Sequence, residues 1–79
     1  MRFYNMKNLS DVKSGCAATI VFIYGGRGAQ HRLAELGLLP GEKIRMIQNT
    51  GAGPVTIYVK GSRLSIGHGL AQKIVVREE

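Results

Sequence analysis

Cysteine is scarce in this chain: the 79-residue sequence contains one, Cys16, and it has no tryptophan. A single thiol cannot form an internal disulfide, and it cannot supply the several thiolates of a structural zinc centre. We therefore expect Cys16 to serve as a small apolar residue at the start of a strand, with a redox or catalytic role as the alternative.

Long apolar runs are also missing, and we expect no signal peptide. The longest apolar stretch, 16–24, is far shorter than the roughly 20 residues that a membrane-spanning helix needs. Residues 1–8 lack the apolar centre of a signal peptide, and we interpret them as an N-terminal tail or an edge segment. The sequence thus predicts a single cytoplasmic domain over 1–79, without membrane insertion.

Acidic residues are few. Five Asp and Glu stand against eleven Lys and Arg, for a formal net charge of +6. Such an excess favours an anionic partner, which could be nucleic acid, an acidic protein surface or the negatively charged cytoplasmic leaflet. The basic residues are spread along the chain without a run of five, so a generally solvated surface is the other interpretation.

Residues for catalysis or metal binding are sparse too. The serines have no recognisable base or oxyanion-loop context, so we do not expect an enzyme. His31 and Glu35 have helix-face spacing, and His68 lies between two glycines, but two ligands do not make a structural zinc site. We expect no cofactor and keep His31 and His68 as weak candidates for transient Fe²⁺ or Zn²⁺ association.

The segment 25–41 is the one stretch with a helical pattern. Ala29, Leu33 and Leu36 stand at i, i+4 and i+7, which predicts one apolar stripe of a short helix. Because an isolated helix of this length is only marginally stable, its leucines are expected to pack on the strands.

Glycines precede this helix. Gly25, Gly26 and Gly28 invite comparison with a phosphate-binding loop, but no Lys-Ser/Thr follows the last glycine, and His31 stands where a dinucleotide motif needs glycine. We interpret them as a structural turn.

Turn residues also follow the helix. Gly37 is placed for its left-handed end, with Leu38 reaching back to Leu33. Pro40 and Gly41 then predict a type II turn.

Outside this segment the pattern is that of short strands. Apolar and polar residues alternate, and the connections are short and rich in glycine. Both faces of the first strand are apolar, so it should be covered on two sides. We expect a tight corner with one 3₁₀ turn at 67–73 and a frayed end at Glu78 and Glu79. About five strands are predicted, over 17–24, 43–49, 55–59, 63–66 and 74–77. Lys60 and Gly61 predict a two-residue hairpin turn between the third and the fourth of them. The prediction is an all-β fold with a short helical insert, closed into a small barrel.

Taken together, the segments 25–28 and 32–41 resemble the signature of the ferrous iron transport protein A (FeoA) family. The likeness extends to 9–15, which resembles that family's opening Leu-Ser-x-Leu-x-x-Gly. In the second half of the chain it extends to 53–59, Gly61, Arg63-Leu64 and 74–76. It covers essentially 9–77. Two departures are Gly67-His68, where the family often has arginine, and Ser14 in place of a common proline.

The resemblance implies a small SH3-like β-barrel and a non-catalytic, cytoplasmic role beside FeoB, the membrane GTPase permease for ferrous iron. It places the protein at the inner membrane through that partner and implies no nucleic-acid partner. A basic barrel that binds nucleic acid and a small transition-metal-binding protein are the alternatives.

We expect partner contacts around the helical insert. Its apolar contributors would be Leu33, Leu36 and Leu38, although the barrel core is the other use for these leucines. Its polar rim would comprise Arg27, His31 and Arg32.

Overall fold

Six antiparallel strands form one sheet, in the order β1-β6-β2-β3-β4-β5. A computed structural model describes residues 5–79. Its strands are β1 (Met6–Asn8), β2 (Ala17–Ile23), β3 (Lys43–Gln48), β4 (Val55–Val59), β5 (Ser62–Ile66) and β6 (Ile74–Glu78). A 3₁₀ turn (Leu9–Asp11) and the helices α1 (Gly26–Glu35) and α2 (His68–Ala71) complete the fold. The all-β class with a short helical insert is confirmed.

The additional strand lies at the N-terminal end of the described chain. β1 pairs with β6, with Met6 opposite Arg77 and Asn8 opposite Val75, and so forms one end of the sheet. Residues 1–4, the rest of the predicted tail, lie outside the described residues. The count is therefore six strands rather than five.

One apolar core fills the inner side of the sheet. Alternation places Val55, Ile57 and Val59 inward on β4, as their spacing predicts. Leu9 and Val12, which bracket the 3₁₀ turn, are fully buried beneath it. The other core members are Ala18, Ile20, Ile23, Leu33, Leu38, Ile44, Met46, Ile66, Ala71, Ile74 and Val76.

The prediction that β2 is covered on both faces is wrong. The register between β2 and β6 shifts between Ile20 and Phe22, so that β2 has one extra residue there. Such a bulge reverses the alternation of side chains beyond it. Ile20 and Ile23 are consequently buried, whereas Phe22 is 48% exposed.

Glycines set both ends of α1. The chain enters it through Gly25 and Gly26, whose φ angles of 100° and 71° lie in the left-handed region. At the other end Gly37 has φ 86°, its N–H donates to the Ala34 carbonyl, and the Leu38 N–H donates to that of Leu33. These two hydrogen bonds are a Schellman motif, which confirms the predicted stop.

The predicted turns are also present. The Glu42 N–H donates to the Leu39 carbonyl at 3.0 Å and Gly41 has φ 97°, as a type II turn requires. Between β4 and β5, Lys60 and Gly61 both have positive φ, which gives a two-residue hairpin turn.

The C-terminal end differs from the prediction in two respects. The corner at 67–73 contains the four-residue helix α2. The last residues are held rather than frayed, because Lys7 Nζ lies 2.9 Å from Glu78 Oε1 and the Thr19 hydroxyl donates to Glu79 Oε2 at 2.6 Å. Neither helix in residues 5–79 is long and apolar enough to cross a membrane.

Candidate functional site

An apolar groove of about 300 Å³ lies where β2, α1 and the type II turn meet. Its lining consists of Phe22, Ile23, Gln30, Leu39 and Pro40. A concave apolar surface with one polar side chain in its wall is the usual form of a binding site.

The bulge in β2 creates the apolar wall of this groove. It turns Phe22 outward, where the ring meets Tyr24 edge-on at a centroid distance of 4.9 Å and an interplanar angle of 83°. This geometry is favourable for two aromatic rings and holds the exposed Phe22 in place. Leu39, which also lines the groove, is 45% exposed. The groove therefore offers large apolar side chains to a partner.

Backbone and side-chain hydrogen bonds hold the groove walls. Gln30 donates from its side-chain amide to the Ile23 carbonyl at 3.2 Å, which ties α1 to the end of β2. The Gly41 N–H donates to the Ile20 carbonyl at 2.7 Å, and the Ile20 N–H donates to the Glu42 carbonyl at 2.9 Å. Because both sides are tied to β2, the groove is preformed and binding need not order it.

The three leucines of the predicted contact surface have different environments. Leu33 and Leu38 have no exposed surface and pack in the core, so they do not offer apolar area to a partner. This corrects their assignment to the docking surface. The burial of Leu38 follows from the end of α1, because the chain reverses at Gly37 and the Leu38 N–H donates to the Leu33 carbonyl. Leu36 is 45% exposed.

The three polar residues of the predicted rim all lie on the exposed surface of α1. On the helix, Arg27 is a neighbour of both Gln30, three residues later, and His31, four residues later. Arg32 is two residues after Gln30 and therefore faces away from the groove. His31 Nε2 lies 3.4 Å from Glu35 Oε2, whereas neither arginine makes an ion pair within residues 5–79.

The two histidines do not build a metal centre with their neighbours. Within residues 5–79 no group of three or more His, Cys, Asp and Glu could hold a metal ion. His68 lies in α2 with Nδ1 buried and without a hydrogen-bond partner, while its Nε2 is 3.3 Å from Gln72 Nε2. His31 is an exposed helix residue.

A second depression, of about 340 Å³, lies between residues 10–14 and 49–51. Its organising residue is Asn49, which sequence reasoning missed. The Asn49 amide donates to the carbonyls of Ser10 and Val12, at 2.9 and 2.7 Å, and its Oδ1 accepts the Gly51 N–H. These groups join two loops, so we assign Asn49 a structural role. Its place before Thr-Gly was the available signal, since Asn commonly caps such turns.

The pKa shifts belong to residues around the C-terminal end of β6 and not to the groove. The hydrogen bond from Lys7 holds the pKa of the Glu78 carboxyl below its ordinary 4.5 and raises the pKa of Lys7. The hydrogen bond from Thr19 likewise lowers the pKa of Glu79. These carboxylates tie the C-terminal end of β6 to its neighbours β1 and β2.

Six antiparallel strands around one core, with a short helix beside a surface groove, define a small β-domain of the SH3-like class. A family model described as the FeoA domain matches residues 7–78, and the chain belongs to that family. A curated relative from Methanocaldococcus jannaschii, named "Putative Fe(2+) transport protein A", is 41% identical over 73 residues, which cover 92% of this chain and 88% of the relative.

Solved structures agree with this family. The fold is similar to the crystal structure of an iron uptake regulatory protein, FeoA, with a TM-score of 0.89 and 36% identity over 94% of this chain and 99% of that one. It is also similar to FeoA of Stenotrophomonas maltophilia, a zinc complex described as a prokaryotic SH3 domain protein. That likeness has a TM-score of 0.76 and 25% identity, over 91% of this chain and 94% of the other.

Proposed function

We propose that this protein is a non-enzymatic accessory protein of ferrous iron uptake that docks on the cytoplasmic part of a FeoB-type membrane GTPase permease. Membership of the FeoA family and the name of the M. jannaschii relative support the iron-transport role. The preformed apolar groove beside α1 is the observation that carries the docking role. Iron is the cargo of the permease in this proposal and not a cofactor of the accessory protein.

The groove accepts one large apolar side chain of the partner. Phe22 and Leu39 both line it, and Pro40 adds rigid apolar surface beside Leu39. Burying a leucine-sized or phenylalanine-sized side chain contributes about 1.5–3 kcal/mol. A central apolar anchor of this kind commonly supplies much of the energy of a protein interface.

Arg27 gives the docking surface its charge. It is beside Gln30 on α1, it is exposed, and it makes no ion pair within residues 5–79. An acidic residue of the partner next to the apolar anchor would therefore meet an available guanidinium. Rim charges act mainly on association rate and salt dependence, so their contribution is smaller than that of the groove.

The test is binding of the permease's purified cytoplasmic domain to the immobilised protein. We expect Leu39→Ser to weaken binding about tenfold, because it removes one groove wall, a change of about 1.4 kcal/mol. Arg27→Glu should weaken binding as well, and more at low salt. Arg32→Glu is the matched control, with the same charge change on the far side of α1.

Equal binding by the wild type and Leu39→Ser would reject the groove as the docking site. Equal weakening by Arg27→Glu and Arg32→Glu would show that net charge alone matters. No binding by the folded wild type would reject direct docking altogether.

A further inference from the structure

Three side chains on the outer face of the sheet form a row across three strands. Arg45 on β3 is directly opposite Tyr58 on β4, and Tyr58 is directly opposite Arg63 on β5. Directly opposite residues share a face and have Cβ atoms about 5 Å apart, so the row spans about 10 Å. All three are exposed, Tyr58 by 47%. We call Arg45, Tyr58 and Arg63 the basic row.

The positive charge of the basic row is not neutralised by neighbouring acids. Three of the five acidic residues pair with lysines, in Lys7–Glu78, Lys43–Glu79 and Lys60–Glu42, and a fourth, Glu35, lies beside His31 on α1. Over the part of the chain that the structure describes, neither arginine of the row makes an ion pair. Arg45 donates to the Gly15 carbonyl at 3.0 Å, which positions its guanidinium without cancelling the charge.

Hydroxyl groups continue this surface along the strands. Thr56 and Ser65 are directly opposite each other on β4 and β5, two residues from Tyr58 and Arg63 along their strands, and so they share the outer face. The surface therefore presents two guanidinium groups, a phenol and two hydroxyls. All of these groups donate hydrogen bonds, and phosphate oxygens accept them.

We propose that the basic row is a contact surface for the anionic phospholipid headgroups of a membrane. Guanidinium groups bind phosphates in a fork, and a tyrosine ring suits the boundary between headgroups and water. The row lies on an outward sheet face and all three of its residues are exposed, so it can meet an extended surface. Single-stranded nucleic acid is usually held by several stacking aromatics, and the row has one. The row and the docking groove have no residue in common.

The contact is weak and reversible. A basic residue near an anionic bilayer strengthens binding about fivefold, so the two arginines together contribute about 30-fold. Their effect falls as salt screens the surface charge. A protein held this way stays near the membrane without inserting into it.

The test is co-sedimentation of the full chain with phosphatidylcholine vesicles, with and without phosphatidylglycerol. We expect binding only to the anionic vesicles, and an approximately 30-fold or greater loss in Arg45→Glu/Arg63→Glu. Arg27→Glu/Arg32→Glu has the same net charge and should keep most of the binding. Arg63→Glu alone preserves the Arg45 hydrogen bond to Gly15 and should lose at least fivefold of the affinity for anionic vesicles. This single variant tests the proposal if the double variant does not fold.

Three outcomes would overturn the proposal: no binding of the wild type to anionic vesicles, equal losses in the two double variants, or binding to a single-stranded RNA oligonucleotide but not to vesicles. Capture of the permease domain by Arg45→Glu/Arg63→Glu should equal that of the wild type. The lipid contact and the proposed docking function can therefore fail separately.

Discussion

Alanine substitutions of Leu33 and Leu36 should have different costs, because Leu33 lies in the core and Leu36 lies at the surface of the protein. Leu33 has no exposed surface, so Leu33→Ala leaves a cavity in the core and should lower the free energy of unfolding by about 2–5 kcal/mol. Leu36 is 45% exposed, and since full burial of a leucine contributes about 1.5–3 kcal/mol, Leu36→Ala should cost roughly 1 kcal/mol.

Equilibrium urea unfolding followed by circular dichroism measures both costs. A domain of this length is expected to have a total stability of about 4–12 kcal/mol, so Leu33→Ala removes a large part of it. Leu33→Met keeps the volume and should cost less than about 1.5 kcal/mol, which provides a folded variant if Leu33→Ala does not fold. Equal costs for Leu33→Ala and Leu36→Ala would refute the assignment of Leu33 to the core.

Three further predictions concern the framework. Gly28→Ala should stabilise the protein by about 0.5–1 kcal/mol, because a Cβ there meets nothing within 4 Å. Gly37→Ala should destabilise it by about 1–2 kcal/mol, because Gly37 has a φ angle of 86°, which an L side chain rarely adopts. Thermal unfolding that ranks the two variants in the opposite order would contradict these assignments. Asn49→Ala loses two hydrogen bonds to loop carbonyls and should cost about 1–3 kcal/mol in urea unfolding, while a change within error would deny it a structural role. Folding lowers the pKa of the Glu78 carboxyl, so the ionised Glu78 stabilises the protein above its ordinary pKa of 4.5, and this stabilisation is lost as the pH falls through the folded-state pKa. The urea midpoint of Glu78→Gln should therefore change less with pH in the acid range than that of the wild type.

Local signals predicted the turns well and the faces of β2 poorly. Gly37 and the Lys60-Gly61 hairpin followed from rules that act within a few residues, and the structure confirms both. The outward turn of Phe22 depends on an extra residue opposite β6, a strand more than 50 positions later. No local pattern reports that pairing, so the apolar wall of the groove could not be assigned from the sequence.

The site was predicted in part. The sequence predicted partner contacts around the helical insert. The groove lies against this insert, and Arg27 and His31 are on the exposed surface of α1. It could not distinguish a leucine facing the core from one facing solvent, because Leu33 and Leu36 are both consistent with one helical stripe. That distinction depends on how α1 is rotated against the sheet.

Composition, the spacing of apolar residues and turn chemistry by themselves determined the β class, the helical insert and its ends, and the excess of positive charge. These are properties of single residues or of close neighbours, so the sequence carries them directly. Only the tertiary structure decided that β1 joins the sheet, that Phe22 and Leu39 line the same groove, and that Arg45, Tyr58 and Arg63 form a row. Each of these depends on strand register and chain packing, and those are set by the whole core at once.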